Sequence, residues 1–150
     1  MSAIKLIKLL PVILVLCCMP GMKAHSQAGS LAKMTIVVQG AKHDTGMMMI
    51  AISDSEADYM TMGAAYMAGS VKVIGGKAVW VIDSIPYGHY ALKVFHDENG
   101  NDSLDTKFMG IPAEPYGFSN NPKNKMGPAS WKDASFPVDK PELEVIIDLK

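Results

Sequence analysis

The sequence predicts an all-β fold: one antiparallel β-sandwich with a long ordered loop, preceded by a signal peptide. Three observations predict it. About six short runs alternate apolar and polar side chains, turns rich in Gly, Pro and Asn separate them, and no segment sustains a helical period for long.

Lys5 and Lys8 precede an apolar run from Leu9 to Met19 broken only by Pro11, the charged-then-hydrophobic layout of a secretory signal. A membrane-spanning helix needs roughly 20 apolar residues, more than this run supplies. Pro20, Gly21, Lys23 and His25 close it, and Ala24 and Ser26 are the small residues a cleavage site requires. Residues 1–26 are therefore expected to be a signal peptide, and 27–150 a single exported domain, periplasmic or extracellular. Cys17 and Cys18 lie in the removed segment, and neither follows the small residue that lipid attachment prefers. The mature chain then has no thiol or disulfide, so packing alone must stabilise it.

Loss of Lys5, Lys8 and Lys23 takes the 14 basic residues to 11 against 15 acidic ones, a net charge of about −4. There is no Arg in the chain. Both facts exclude nucleic acid as a plausible partner and disfavour a bidentate phosphate or carboxylate clamp. A monomer that does not span the membrane is expected.

In the mature chain, Met34, Ile36 and Val38 alternate with Lys33, Thr35 and Gln39, predicting a half-buried strand over 32–39. Residues 47–53 read as a second strand, apolar on both faces. Asp54 or Ser55, followed by Glu56, Ala57 and Asp58, can cap a short helical turn. Runs at 70–74 and 78–83 flank Gly75, Gly76 and Lys77, which predicts a tight hairpin. Residues 89–96 and 142–149 complete the set of alternating strands. Tyr90, just after Pro86 to Gly88, is placed for a tyrosine corner of the kind found in immunoglobulin-like sandwiches.

Between the 89–96 strand and Asp105, oxygen-bearing side chains recur as Asp97, Asn99, Asn101 and Asp105, at positions one, three, five and nine of a loop. Side chains two apart can converge on one cation while a backbone carbonyl, here that of Ser103, fills position seven. That is the opening of a calcium loop. Position six is Asp102 where Gly is usual, and position twelve is Phe108 where a bidentate Glu is usual. Glu114 and Asp133 are candidates to complete the shell. The competing reading is a solvated Asp-Asn-Gly turn.

The long segment from 105 to 141 carries Tyr116, Phe118 and Trp131, candidates to contact an envelope glycan or protein through ring faces. The alternative is that they pin the loop to the domain as a small satellite core. Met47, Met49, Met60 and Met62 with His43 suggest a metal-handling protein, against the simpler reading of Met as core filler. His96 beside Asp97 is a candidate general base for an envelope hydrolase of glycan or peptide, although no catalytic residue is assigned.

The motifs His96-Asp97-Glu98-Asn99-Gly100-Asn101, Leu104-Asp105, Gly110-Ile111-Pro112, Glu114 through Asn121, Gly127-Pro128 and Phe136 resemble a bacterial family known as domain of unknown function 2141. The resemblance covers nearly all the mature chain. It implies export and fold and brings no activity with it. The turn Ile85 to Tyr90 also resembles those of transthyretin-like and carboxypeptidase-regulatory sandwiches, more often accessory modules than catalysts. The resulting expectation is a non-catalytic exported binding or structural module with a calcium-stabilised loop.

Overall fold

The computed structural model describes residues 30–123 and 127–150. The expected signal peptide, its cleavage site and Cys17 and Cys18 lie outside the described residues. Within them the chain runs β1 (Leu31–Gln39), β2 (Met47–Ser53), α1 (Glu56–Met60), β3 (Met67–Lys72), β4 (Lys77–Pro86), β5 (Gly88–Asp97), a 3-10 turn (Phe108–Gly110), β6 (Tyr116–Phe118), α2 (Trp131–Ala134), β7 (Phe136–Val138) and β8 (Glu142–Asp148). The fold is all-β apart from the two short helices. Among the described residues no helix is long and apolar enough to cross a membrane.

The strands form two sheets. One has the order β4-β1-β8, and the other β3-β2-β5-β6, with β7 pairing the start of β5. Alternation in the sequence decides what each sheet buries. Met34, Ile36 and Val38 of β1 join Ile82 and Ile85 of β4 and Val145 and Ile147 of β8 in one core. Met48, Ile50 and Ile52 of β2 and Tyr90, Leu92 and Val94 of β5 enter the same core from the other sheet. Burying each such side chain stabilises the fold by roughly 1.5–3 kcal/mol relative to leaving it in water.

Two pairings differ from the sequence expectation. β8 runs parallel to β1, with Ile36 beside Val145 and Val38 beside Ile147, so the strands are not all antiparallel. This register sets buried residue beside buried residue, the condition a one-sided sheet imposes. Second, Gly75 and Gly76, at φ +60° and +73°, do make a tight turn, but only Ile74 and Lys77 bridge across it. β3 and β4 then part, each into a different sheet. Trp80 of β4 fills the space between them: a Cβ on Gly69 of β3 would lie 2.8 Å from its ring.

The β4–β5 corner is held by the expected tyrosine contact, in which the Tyr90 hydroxyl donates to the Pro86 carbonyl at 2.9 Å. The 56–60 helix is capped as its composition predicts, Ser55 Oγ accepting from the Asp58 amide at 3.3 Å. In β2 one face is buried and the other, with Met47, Met49 and Ala51, is half-buried, so the strand is covered unequally. The segments 105–141 and 54–66 meet as a second small core, in which Phe118 and Trp131 pack around Tyr59, Ala91, Ala129 and Ala134.

Candidate functional site

β5 carries the chain into the acidic loop. Asp97 ends that strand with 1% of its surface exposed. Its Oδ1 accepts from the backbone amides of Gly100 at 2.7 Å and Asn101 at 3.2 Å, and its Oδ2 from Asp102 at 2.8 Å. Asn99 Oδ1 accepts from the Asn101 amide, and Asn101 Oδ1 from that of Ser103. Each side chain therefore braces the backbone two or more residues ahead, and the loop closes on itself. Asp102 has φ +60°, so position six keeps the left-handed backbone for which Gly is usual; Asp tolerates it better than most residues.

The side chains at positions three, five and nine come together, the two Asn amides presenting their nitrogens to Asp105. Asn99 Nδ2 donates to Asp105 Oδ2 at 2.6 Å and Asn101 Nδ2 to Asp105 Oδ1 at 3.1 Å. Glu114 arrives from the long segment with 7% exposure, as one of the two residues considered for completing the shell. Its Oε1 accepts from the Glu98 amide at 2.9 Å and its Oε2 from the Asp105 amide at 3.0 Å, tying the loop's two ends. Asp133 goes elsewhere, into the first turn of α2, where Ser130 Oγ donates to it. Among the described residues no three His, Cys, Asp or Glu side chains stand at ligand spacing. The groups gathered here are the Asp105 carboxylate and two side-chain amides, joined by hydrogen bonds.

Burial alone would raise the Asp97 pKa, but the amides of Asp102, Gly100, Asn101 and Asn99 outweigh it and hold the carboxyl below its ordinary 3.8. The amides of Gly76 and Gly75 lower Asp44 in the same direction. A carboxyl depressed in the fold contributes stability that is complete above its unfolded pKa and is lost as pH falls through the folded value. Acid unfolding monitored by circular dichroism should accordingly steepen below about pH 3.8. Asp97→Asn should flatten that limb.

Next to the loop lies a second cluster. His96, fully buried, holds Nε2 2.7 Å from the Thr45 carbonyl, and its Nδ1 has no hydrogen-bond partner. Glu98 Oε1 stands 3.7 Å from that Nδ1 and 3.0 Å from Nε2 of His43. His43 is thus placed with Glu98. Of the four Met residues considered with it, Met60 and Met62 sit in and after α1, beyond the far end of β2, and are 67% and 99% exposed.

Tyr116 and Phe118 project from one face of β6, their ring centroids 5.8 Å apart, and line a recess of about 260 Å³ with Pro122, Lys123 and Lys150. Trp131 packs edge-on against Tyr59 at 5.8 Å. Lys93 lies 4.3 Å over the Tyr59 ring and donates to the Tyr59 carbonyl; burial lowers its pKa, while burial and then the charge of Asp133 push Tyr59 up to about 12. The three aromatics therefore divide between a recess and the small second core, with Phe118 in both. Asn120 and Asn121 serve internally: the first donates to the Asp133 and Ser135 carbonyls, and the second clasps Ile146 and Asp148 of β8.

A family model described as an uncharacterized protein conserved in bacteria, DUF2141, matches residues 36–146. No curated protein and no solved structure matches the chain.

Proposed function

Since the chain belongs to the DUF2141 family, we propose that it is an exported, non-catalytic binding or structural module whose Asp97–Asp105 loop is ordered by calcium. One observation carries the reading. Asn99, Asn101 and Asp105 meet at one place while Asp97, almost fully buried, organises the backbone around them. On binding, the two Asn amides turn their oxygens from the Asn101 and Ser103 backbone amides to the ion, giving up their N–H contacts to Asp105 as well. Asp97, Asn99, Asn101, the Ser103 carbonyl and Asp105 are the ligands in this reading, with Glu114 buttressing the loop ends rather than closing the shell. The ion offsets the repulsion among the loop's carboxylates.

The two sheets around one core, with the tyrosine contact at the β4–β5 corner, support a sandwich of immunoglobulin-like or transthyretin-like type. Residues 1–26 act as its signal peptide and the mature form is a monomer in the periplasm or outside the cell. The Tyr116 and Phe118 recess offers ring faces and lysines to an envelope glycan or protein, while Trp131 sits in the second small core that Phe118 also joins.

Thermal unfolding with calcium and with a chelator tests the loop. At ten times its dissociation constant, calcium should stabilise the protein by about 1.4 kcal/mol, raising Tm by roughly 4–8 °C. Asp97→Asn should abolish the shift. Coincident melting curves for the native protein with and without calcium would falsify the reading.

A further inference from the structure

We propose that the hairpin from Asp105 to Ala113 is a docking tip that inserts Phe108, Met109 and Ile111 into the surface of a zwitterionic phospholipid bilayer. These side chains are 88%, 83% and 60% exposed, whereas Phe118 and Trp131 of the same long segment pack inward. Three large apolar side chains within four residues, all left in water, mark a surface that meets another apolar phase.

The backbone of the tip is built as lipid requires. The Lys107 amide donates to the Ile111 carbonyl at 2.7 Å, the Gly110 amide to the Lys107 carbonyl at 3.1 Å, and the Ala113 amide to the Asp105 carbonyl at 2.7 Å. Thr106 and Pro112 bridge between these bonds, and Pro112 has no N–H to satisfy. A bilayer offers a loop no hydrogen bonds, so internal pairing of this kind lowers the cost of entry, a demand that a polar groove on a protein would not make. The turn itself runs through left-handed backbone, Met109 at φ +66° and Gly110 at +73°. That conformation costs stability in a residue as bulky as Met, and it is kept here with the Met109 side chain in water.

Charge selects the kind of lipid. In a chain whose acidic residues outnumber its basic ones, Thr106 to Ala113 contain no acid, and Lys107 is their one charge. A lysine beside an inserting tip lays its stem along the apolar surface and sets its ammonium among headgroup phosphates. The acidic loop at the hairpin's base is repelled by an anionic leaflet, which favours a zwitterionic one. The anchor is small. A single myristoyl chain binds membranes with roughly 10⁴ M⁻¹, and the tip should bind more weakly, with half-binding above about 0.1 mM lipid.

Phosphatidylcholine vesicles test the proposal by co-sedimentation and by fluorescence. The native protein should sediment with them and still do so at high salt, because an apolar contact is not screened. Emission of Phe108→Trp, after subtraction of the Trp80 and Trp131 signal of the native protein, should shift to the blue on adding vesicles. Met62→Trp, 99% exposed beyond the far end of β2, should not shift. Replacing Phe108 and Met109 together by Ser should abolish sedimentation while the melting curve stays native. Failure of the native protein to sediment, loss of binding at high salt, or equal shifts at positions 108 and 62 overturns the proposal. So does vesicle-independent dimerisation lost in the double Ser variant, which would assign the tip to a second copy of the chain.

Discussion

Gly46→Ala should destabilise the protein by about 2–5 kcal/mol, the sum of a backbone conformation that L residues resist and a collision with main chain. Gly46 has φ +77°, and a Cβ there would lie 2.0 Å from the Asp97 carbonyl oxygen and 2.9 Å from Glu98 Cα. Both are backbone atoms of the β5 end, so no side chain can swing aside to relieve the contact. The damage falls where Asp97 begins the acidic loop and Thr45 holds His96. Gly63→Ala separates the two causes, since Gly63 has φ +80° but nothing within 4 Å of its would-be Cβ. Urea unfolding should show Gly63→Ala losing only about 1–2 kcal/mol. Equal losses in the two variants would mean that the approach of Gly46 to Asp97 is not as close as described.

Ser119→Ala comes next, with an expected loss of about 2–4 kcal/mol. Ser119 is fully buried, its Oγ accepting from the Leu92 amide at 2.9 Å and donating to the Ala134 carbonyl at 2.6 Å. Its own amide also donates to the Leu92 carbonyl, so one residue continues the ladder of β5 past the end of β6 and ties α2 to it. Alanine leaves a buried N–H and a buried C=O without partners. Hydrogen exchange should show the Leu92 amide losing protection while that of Ile36, in the other sheet, keeps it. Unchanged exchange at Leu92 would show that the hydroxyl is dispensable.

The long strands were legible because burial on one face writes a period of two into the sequence. β2 begins and ends at the expected residues, and β1, β5 and β8 agree within one residue at each end. β6 and β7 left no such trace. Each is three residues long, one centred on Gly117 and the other on Pro137, and both exist because β5 offers them an edge. Pairing partners were less visible than strands, since nothing local to Gly75-Gly76 says that its flanks will enter different sheets. In the acidic loop the side chains of Asn99, Asn101 and Asp105 meet and Asp97 braces the backbone beneath them, because a turn of that size is built from its own residues. The role of Glu114 as a clasp, and the meeting of His43 with His96 and Glu98, depend on chain segments brought together only by the sheets. Asp133 shows the converse, a suitable residue type delivered to another part of the fold.

The parallel seam between β1 and β8 sets a clock on maturation. Gln39 reaches Asp148, 109 residues later, so one border of β1 has no native neighbour until nearly the whole chain has been synthesised. Closing so distant a contact is slow, and meanwhile an open strand border can recruit a second unfinished chain. A polypeptide cut before Glu142 would keep that border permanently, making the final strand the step that distinguishes finished molecules from fragments.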